Sequence, residues 1–276
     1  MAQPLRVLAA PSWNLPLALR QVTRLLSYRD LLVTLCSHRI NVRYKQSLLG
    51  GFWAILQPVA MMIVFTAVFS RLVKVPSDGV PYALFAYSGL LPWTFFSGAV
   101  SSATNSMVSN SSLITKIYFP RELLPMSYVV ASAVDLLIGS TVLLGLAIWY
   151  RVPLTSSLVM VIPIVIAIGA FAFACSLVLS AIHVRFRDVG MALPIGLQLL
   201  MFASPVLYSF DVIPQSWRAL YLLNPLAGLI DAFRRSVLGL PLLVPELMVA
   251  ALVTAVALPL SYVLFKHSEA TMADVV

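Results

Sequence analysis

The sequence predicts an all-α integral membrane protein: six transmembrane helices, an N-terminal amphipathic interface helix, and a re-entrant outer hairpin between spans five and six. Three observations carry this. Of the 276 residues, 61% are hydrophobic and only 10% charged, whereas soluble domains carry about 25% charged residues. Apolar segments recur along the whole chain, most of them near the ~20 residues that a helix needs to cross a hydrocarbon core. Lys and Arg fall between those segments and form no continuous basic face. That distribution removes the nucleic-acid reading that a formal charge of +8 would otherwise invite.

Residues 1–27 read as an N-terminal cytosolic tail. They carry Arg6 but no continuous apolar stretch, because Pro11 and Pro16 interrupt it, so the segment does not resemble a cleaved signal peptide. Residues 28–47 predict a helix. Asp30, Thr34, Ser37, Asn41 and Lys45 stack on one polar stripe, while Tyr28, Leu31, Leu32, Leu35 and Val42 face the other way. That pattern suits a helix lying in the membrane interface, as an anchor or as a docking surface for a cytosolic partner.

The six predicted spans cover residues 48–70, 83–108, 123–149, 154–182, 189–208 and 247–265, and Asp135 is the one ionised side chain inside them. With both termini in the cytosol, the inner segments hold twelve of the eighteen Lys and Arg residues. The positive-inside rule therefore favours that orientation, chiefly through the run from Arg29 to Lys45. Residues 28–265 form the membrane domain, and 266–276 a cytosolic C-terminal tail.

Between spans five and six, residues 209–246 predict two short helices. Asn224 followed by Pro225 is a helix start, with Asn224 as N-cap and Pro225 in the first turn. Gly239 and Pro241 form the matching stop. Each helix is too short to cross, so a hairpin dipping into the outer leaflet and shielded by protein is one solution. A hairpin resting on the surface is the other.

Few residues suggest chemistry. None of the four lysines (Lys45, Lys74, Lys116, Lys266) follows a glycine, so no phosphate-cradling Gly-x-x-x-x-Gly-Lys loop exists. His38, His183 and His267 are too scattered for a metal site, Cys36 and Cys175 match no metal or redox pattern, and no nucleophile–base pair can be assembled. A membrane-embedded transferase has no acid–base cluster to work with. Asp135 is a functional candidate by default, because an intramembrane carboxylate is costly. It would be the coupling site of an ion-driven carrier, or else a structural group bonded to a neighbouring helix. In the second span, Ser97, Ser101, Asn105 and Ser109 recur every four residues, a stripe that either packs closely or lines a wet passage. The aromatics Tyr82, Phe85, Tyr87 and Trp93 crowd the same span, as interface anchors or as stacking faces for sugar rings.

Several segments, in order, carry a family resemblance. The run Arg39-Ile40-Asn41-Val42-Arg43-Tyr44-Lys45-Gln46-Ser47-Leu48-Leu49-Gly50, continuing through Phe52-Trp53-Ala54-Ile55-Leu56-Gln57-Pro58, resembles the approach to the first span in type-2 ABC exporter permeases. Leu113 to Pro125, with Lys-Ile-Tyr-Phe-Pro-Arg-Glu-Leu-Leu-Pro, is similar to that family's first cytosolic loop. His183 to Asp188 resembles the second, and Asn224-Pro225 the outer hairpin. The resemblance is closest to the branch that exports lipid-linked polysaccharide such as O-antigen, capsule or teichoic acid.

The resemblance implies a homodimer in the bacterial inner membrane, bound to two cytosolic ABC ATPase subunits that hold the ATP and Mg. This chain itself would bind no cofactor and no metal. It further implies motor coupling through Asp30, Arg39, Lys45, Thr115, Lys116, Tyr118, Arg121, Arg185 and Asp188. A glycan path would pass Tyr82, Phe85, Tyr87, Trp93, Ser97, Ser101 and Asn105. An outer gate would comprise Trp217, Asn224, Pro225, Asp231 and Arg234. Export of a drug or lipid is the alternative within the family.

Overall fold

A computed structural model describes residues 28–45, 50–73, 76–77, 79–117, 119–153 and 155–275. Residues 1–27 and Tyr118 lie outside the described residues, and so do the expectations that fell on them. The described residues are helical, without a β-strand. In chain order they form α1 (Arg29–Lys45), α2 (Phe52–Phe65, continued by a π-helical stretch Thr66–Val73), α3 (Tyr82–Thr104), α4 (Ser106–Ser109), α5 (Ser111–Lys116) and α6 (Leu123–Trp149). A 3-10 turn, Ser156–Met160, leads into α7 (Val161–Arg185), followed by α8 (Val189–Phe202), α9 (Gln215–Leu222), α10 (Pro225–Leu238) and α11 (Val244–Val275).

Among the described residues, five helical stretches are long and apolar enough to cross a bilayer: Phe52–Ser70, Tyr82–Thr104, Leu123–Trp149, Ser156–Arg185 and Val244–Glu269. The expected span at 189–208 is a 14-residue helix instead. At 1.5 Å per residue it covers about 21 Å, short of a hydrocarbon core about 30 Å thick. Pro205 accounts for the early stop, since it lacks an N–H and drives the residue before it out of helical geometry. The second span also ends earlier than its apolar pattern suggested, at Thr104. There Asn and Ser side chains compete for backbone groups: Asn105 donates to the Ser101 carbonyl, Ser109 to that of Asn105 and Asn110 to that of Ser106.

α3 is the central helix. It packs against α6 on one side and α7 on another, with α2 and α10 also on its surface. Leu84, Phe85, Ala86, Tyr87 and Leu90 are fully buried, and the surrounding helices present apolar surface outward. Ile148, Trp149, Ile162, Met191, Leu199 and Leu252 are all more than 60% exposed, which is tolerable only in a non-aqueous surrounding or under a partner.

The two ends of the bundle differ. At one, the basic end, a cluster of Leu35, Met107, Ile114, Phe119, Leu123, Leu124, Leu177, Val184 and Phe265 joins α1, α4, α5, the start of α6 and the C-terminal halves of α7 and α11. At the other, the hairpin end, α10 packs on α3 and α9 packs on α10 and α11. α10 begins as the sequence predicts, with the Asn224 side chain accepting from the Leu226 N–H at 3.1 Å and Pro225 in the first turn. It stops at Gly239, whose φ of +69° is the left-handed geometry a C-terminal glycine supplies.

Helix α1 does not keep all its apolar residues inward. Leu35 and Cys36 are buried against α6, but Val42 is 48% exposed. The reason is its direction: α1 runs alongside α6, with the Cys36 thiol bonding the Ser127 carbonyl and Arg43 reaching Asp135 eight residues further on. Beyond the first two turns, polar ties rather than an apolar face fix it there.

Candidate functional site

A trough of about 810 Å³ lies between α2 and α8, floored by α3. Its lining repeats at helical spacing. Trp53, Gln57 and Met61 come from α2, Thr94, Ser97 and Ser101 from α3, and Pro194, Gln198 and Met201 from α8. The Thr94 hydroxyl donates to the Leu91 carbonyl at 2.9 Å and Ser97 to Thr94 at 3.4 Å. Their protons are spent on the helix, which leaves oxygen lone pairs as acceptors. With two amides, two indoles, apolar walls and no acid–base pair on α3 or α8, the trough suits passage or binding of a neutral polyhydroxylated chain better than chemistry on it.

Asp135 closes one end of the trough beside Arg43 and Tyr44. The sequence suggested no partner for this carboxylate, and the structure supplies two. Arg43 forms an ion pair with it, and the Tyr44 hydroxyl donates to it. Burial, and then the charge and hydrogen bond of Asp135, push the Tyr44 phenol well above its usual range. The pair is part-exposed, at 36% for Arg43 and 28% for Asp135, so it faces the trough rather than the core.

The predicted path residues divide. Trp93, Ser97 and Ser101 line the trough. Tyr82, Phe85 and Tyr87 do not. Tyr82 donates to the Leu207 carbonyl at 2.9 Å, Tyr87 to that of Gly139 at 2.8 Å, and Phe85 lies 4.0 Å beneath the Arg234 guanidinium. All three are buried in the core, and the two phenols are satisfied by backbone carbonyls as buried tyrosines require. Asn105 is exposed at the break after α3, outside the trough.

At the basic end, Lys116 and Thr115 are exposed on α5, with Ile117 beside them at 57% exposure. Arg185, the last residue of α7, and Asp188, in the turn after it, are exposed, next to Phe186 at 59%. Asp30 and Lys45 are exposed on α1. The other two predicted coupling residues are engaged internally. Arg39 donates to the Asn110 side chain and stacks 4.4 Å from the Tyr128 ring, while Arg121 donates to the Glu269 carbonyl at 2.8 Å.

At the hairpin end, Trp217 is 56% exposed. Asn224 donates to the Ser204 hydroxyl at 2.8 Å, which ties the start of α10 to the end of α8. Asp231 and Arg234 are buried at 2% and 0% exposure. Arg234 donates to the carbonyls of Pro205 at 2.9 Å and Val206 at 2.5 Å. Asp231 accepts from Arg235 at 2.7 Å, and Arg235 also reaches Asp211 at 2.9 Å. Arg235, Asp211 and Gly89 were missed by sequence reasoning. Two adjacent arginines three and four residues after an aspartate were the available signal for Arg235.

Helical bundle, apolar outer surface and asymmetric ends define a multi-pass membrane protein with a ligand-sized trough among its helices. Comparison with known families agrees: the model of the ABC-2 type transporter family matches residues 31–238, and the chain belongs to that family as a membrane subunit. Among individual proteins, it is 31% identical over 207 residues to an O-antigen export system permease protein, RfbA, of Klebsiella pneumoniae, covering 74% of this chain and 79% of that one. It is 33% identical over 219 residues to RfbA of Myxococcus xanthus, covering 78% and 83%. With the polysialic acid transport protein KpsM of Escherichia coli it shares 24% over 244 residues, covering 84% and 91%.

Proposed function

We propose that this chain is the permease subunit of an ATP-driven exporter that moves a lipid-linked polysaccharide, such as O-antigen, from the cytosolic to the outer side of the inner membrane. The observation that carries the reading is the likeness to two O-antigen export permeases across about three quarters of the chain. The trough supports it, because its acceptor-rich floor and indole walls suit sugar hydroxyls and rings. Asp135, held by Arg43 and Tyr44, is poorly suited to pick up and release a coupling ion. This disfavours an ion-driven carrier.

In this reading two copies assemble, because a polar-floored trough facing lipid would leave amide and hydroxyl groups without partners. A second copy covers it and completes the path. The basic end is cytosolic and receives two ATPase subunits, with exposed Lys116, Arg185 and Asp188 at the contact. Helix α1 is the interface helix. The hairpin α9–α10 dips into the outer leaflet, since Arg234 lies against Gly89, seven residues or about 10 Å inside the start of α3. Helix α8 and the chain up to Tyr208 make the sixth crossing together.

Complementation tests the reading. In cells lacking their own O-antigen export permease, this chain expressed with its ATPase partner is expected to restore glycan at the cell surface. Glycan that stays in the cytosol while the purified complex expels a drug or a phospholipid would move the function to the alternative within the family.

A further inference from the structure

The end of α11 runs past residue 265 without a break, to Val275, and lies outside the stretch matched by the family model. It is not a loose tail where it meets the rest of the chain. Phe265 is fully buried in the basic-end cluster beside Ile114, Phe119 and Leu123. Lys266 donates to Glu122 at 2.7 Å and to Glu269 at 2.8 Å. Glu122, only 2% exposed, also accepts from the Tyr262 hydroxyl at 3.1 Å. One residue earlier, Arg121 donates to the Glu269 carbonyl at 2.8 Å. Two successive residues of the α5–α6 turn are thus bonded to two successive turns of α11.

A charge pair this enclosed costs desolvation to form, and a hydrophobic replacement would often serve stability equally well. Its geometric consequence is sharper than its energetic one. Helix α5 ends at Lys116, only six residues before Glu122, so a displacement of α5 reaches α11 through a directional, charge-assisted bond rather than through sliding apolar surface. Helix α11 packs along α7 and carries α10 at its other end, where Gly228 meets Glu246 and Ala250. It is bonded to the α5–α6 turn near residues 262–269 and packs on the hairpin near its start.

We propose that Glu122 and Lys266 are positioning residues for energy coupling: their latch makes the last turns of α11 part of the element that receives the push of the ATPase and passes it to the hairpin end. This rests on the exporter reading above. Neither side chain lines the trough; both act through α5.

The test uses the complex of this chain with its ATPase, in cells where it is the sole O-antigen exporter and as purified protein in liposomes. Lys266→Met and Glu122→Gln are expected to assemble with the ATPase and to keep its hydrolysis rate, while surface O-antigen per ATP hydrolysed falls about tenfold, in line with loss of one partner of an enclosed charge pair. The exchange Glu122→Lys with Lys266→Glu is expected to recover much of the loss that Glu122→Lys alone causes. Unchanged export per ATP in both neutral variants overturns the proposal and leaves the exporter reading intact. Parallel loss of assembled complex and of hydrolysis, with export per ATP preserved in what remains, overturns it in favour of a purely structural latch. Absence of ATP-dependent export by the unsubstituted complex overturns the reading on which it rests.

Discussion

The guanidinium of Arg43, near the end of α1, is paired with the carboxylate of Asp135, twelve residues into α6. With α6 at 1.5 Å per residue, this places the pair about 18 Å along that helix. An arginine that precedes the first span therefore neutralises an acid midway along α6, and Tyr44 completes its hydrogen bonding. The carboxylate is an architectural group that fixes α1 along α6 at the rim of the trough.

Asp135→Asn is accordingly expected to retain ATP-dependent export to within about threefold, because an amide still accepts from Tyr44 and from Arg43 and the lost pair is part-exposed. Export in inverted vesicles, with and without a protonophore, measures this. Abolished export alongside intact ATP hydrolysis would restore the ion-coupled reading. Arg43→Met is expected to be the more damaging change, since it leaves Asp135 facing the trough as an unneutralised acid.

Gly89 is required by close approach rather than by backbone conformation. A Cβ at this position would sit 2.2 Å from Arg234 Nη2 and 2.3 Å from the Val206 carbonyl oxygen. Gly89→Ala must push the guanidinium off its carbonyls, and overpacking of this kind costs about 1–3 kcal/mol. Arg234→Met removes the charge that faces Asp231 and the Pro205 and Val206 carbonyls, with an expected cost of about 3–5 kcal/mol. Thermal unfolding of the detergent-purified protein followed by tryptophan fluorescence is the check, and a Tm for either variant equal to that of the unsubstituted protein would refute the account of Arg234 as a buried brace.

The hairpin shows how much of this was legible. Asn224, Pro225 and Gly239 mark the limits of α10 by local chemistry alone, and the structure follows them. What the hairpin does with Asp231 and Arg234 was not legible, because their partners come from Asp211, from carbonyls of the chain after α8 and from the face of Phe85. The aromatic crowding of α3 was visible in the sequence but ambiguous. Hydropathy cannot tell an indole facing a trough, such as Trp93, from a phenol tied to a carbonyl, such as Tyr87. The length of the fifth predicted span failed for a related reason: apolar character continues past Phe202, while Pro205 has already ended the helix.

That ambiguity yields a labelling prediction. In an otherwise functional background, Ser97→Cys and Ser101→Cys are expected to react with a small water-soluble maleimide in reconstituted complexes, since both positions line the trough. Tyr87→Cys, at a site with no exposed surface, is expected to stay unlabelled until the protein is denatured. Thiol reactivity follows access to water and thiolate formation, so the readout is independent of the identity of the glycan. Equal labelling at all three positions would mean that α3 turns a different face to the path.

Charge reversal separates the two kinds of basic residue at the basic end. Lys116 is exposed with no charged partner among the described residues, so Lys116→Glu should leave folding intact while weakening the contact with the ATPase. The expected outcome is normal membrane abundance, reduced co-purification of the ATPase and reduced export. Arg121 is bonded to the Glu269 carbonyl beneath the α5–α6 turn, so Arg121→Glu introduces an acid beside Glu122 and Glu269 and breaks an internal tie. It should lower the abundance of the folded chain before any effect on coupling is read. Pull-down of the ATPase, normalised to folded permease by gel filtration, distinguishes the two. Identical behaviour of both variants would mean that Arg121 faces the motor after all and that its bond to α11 is incidental.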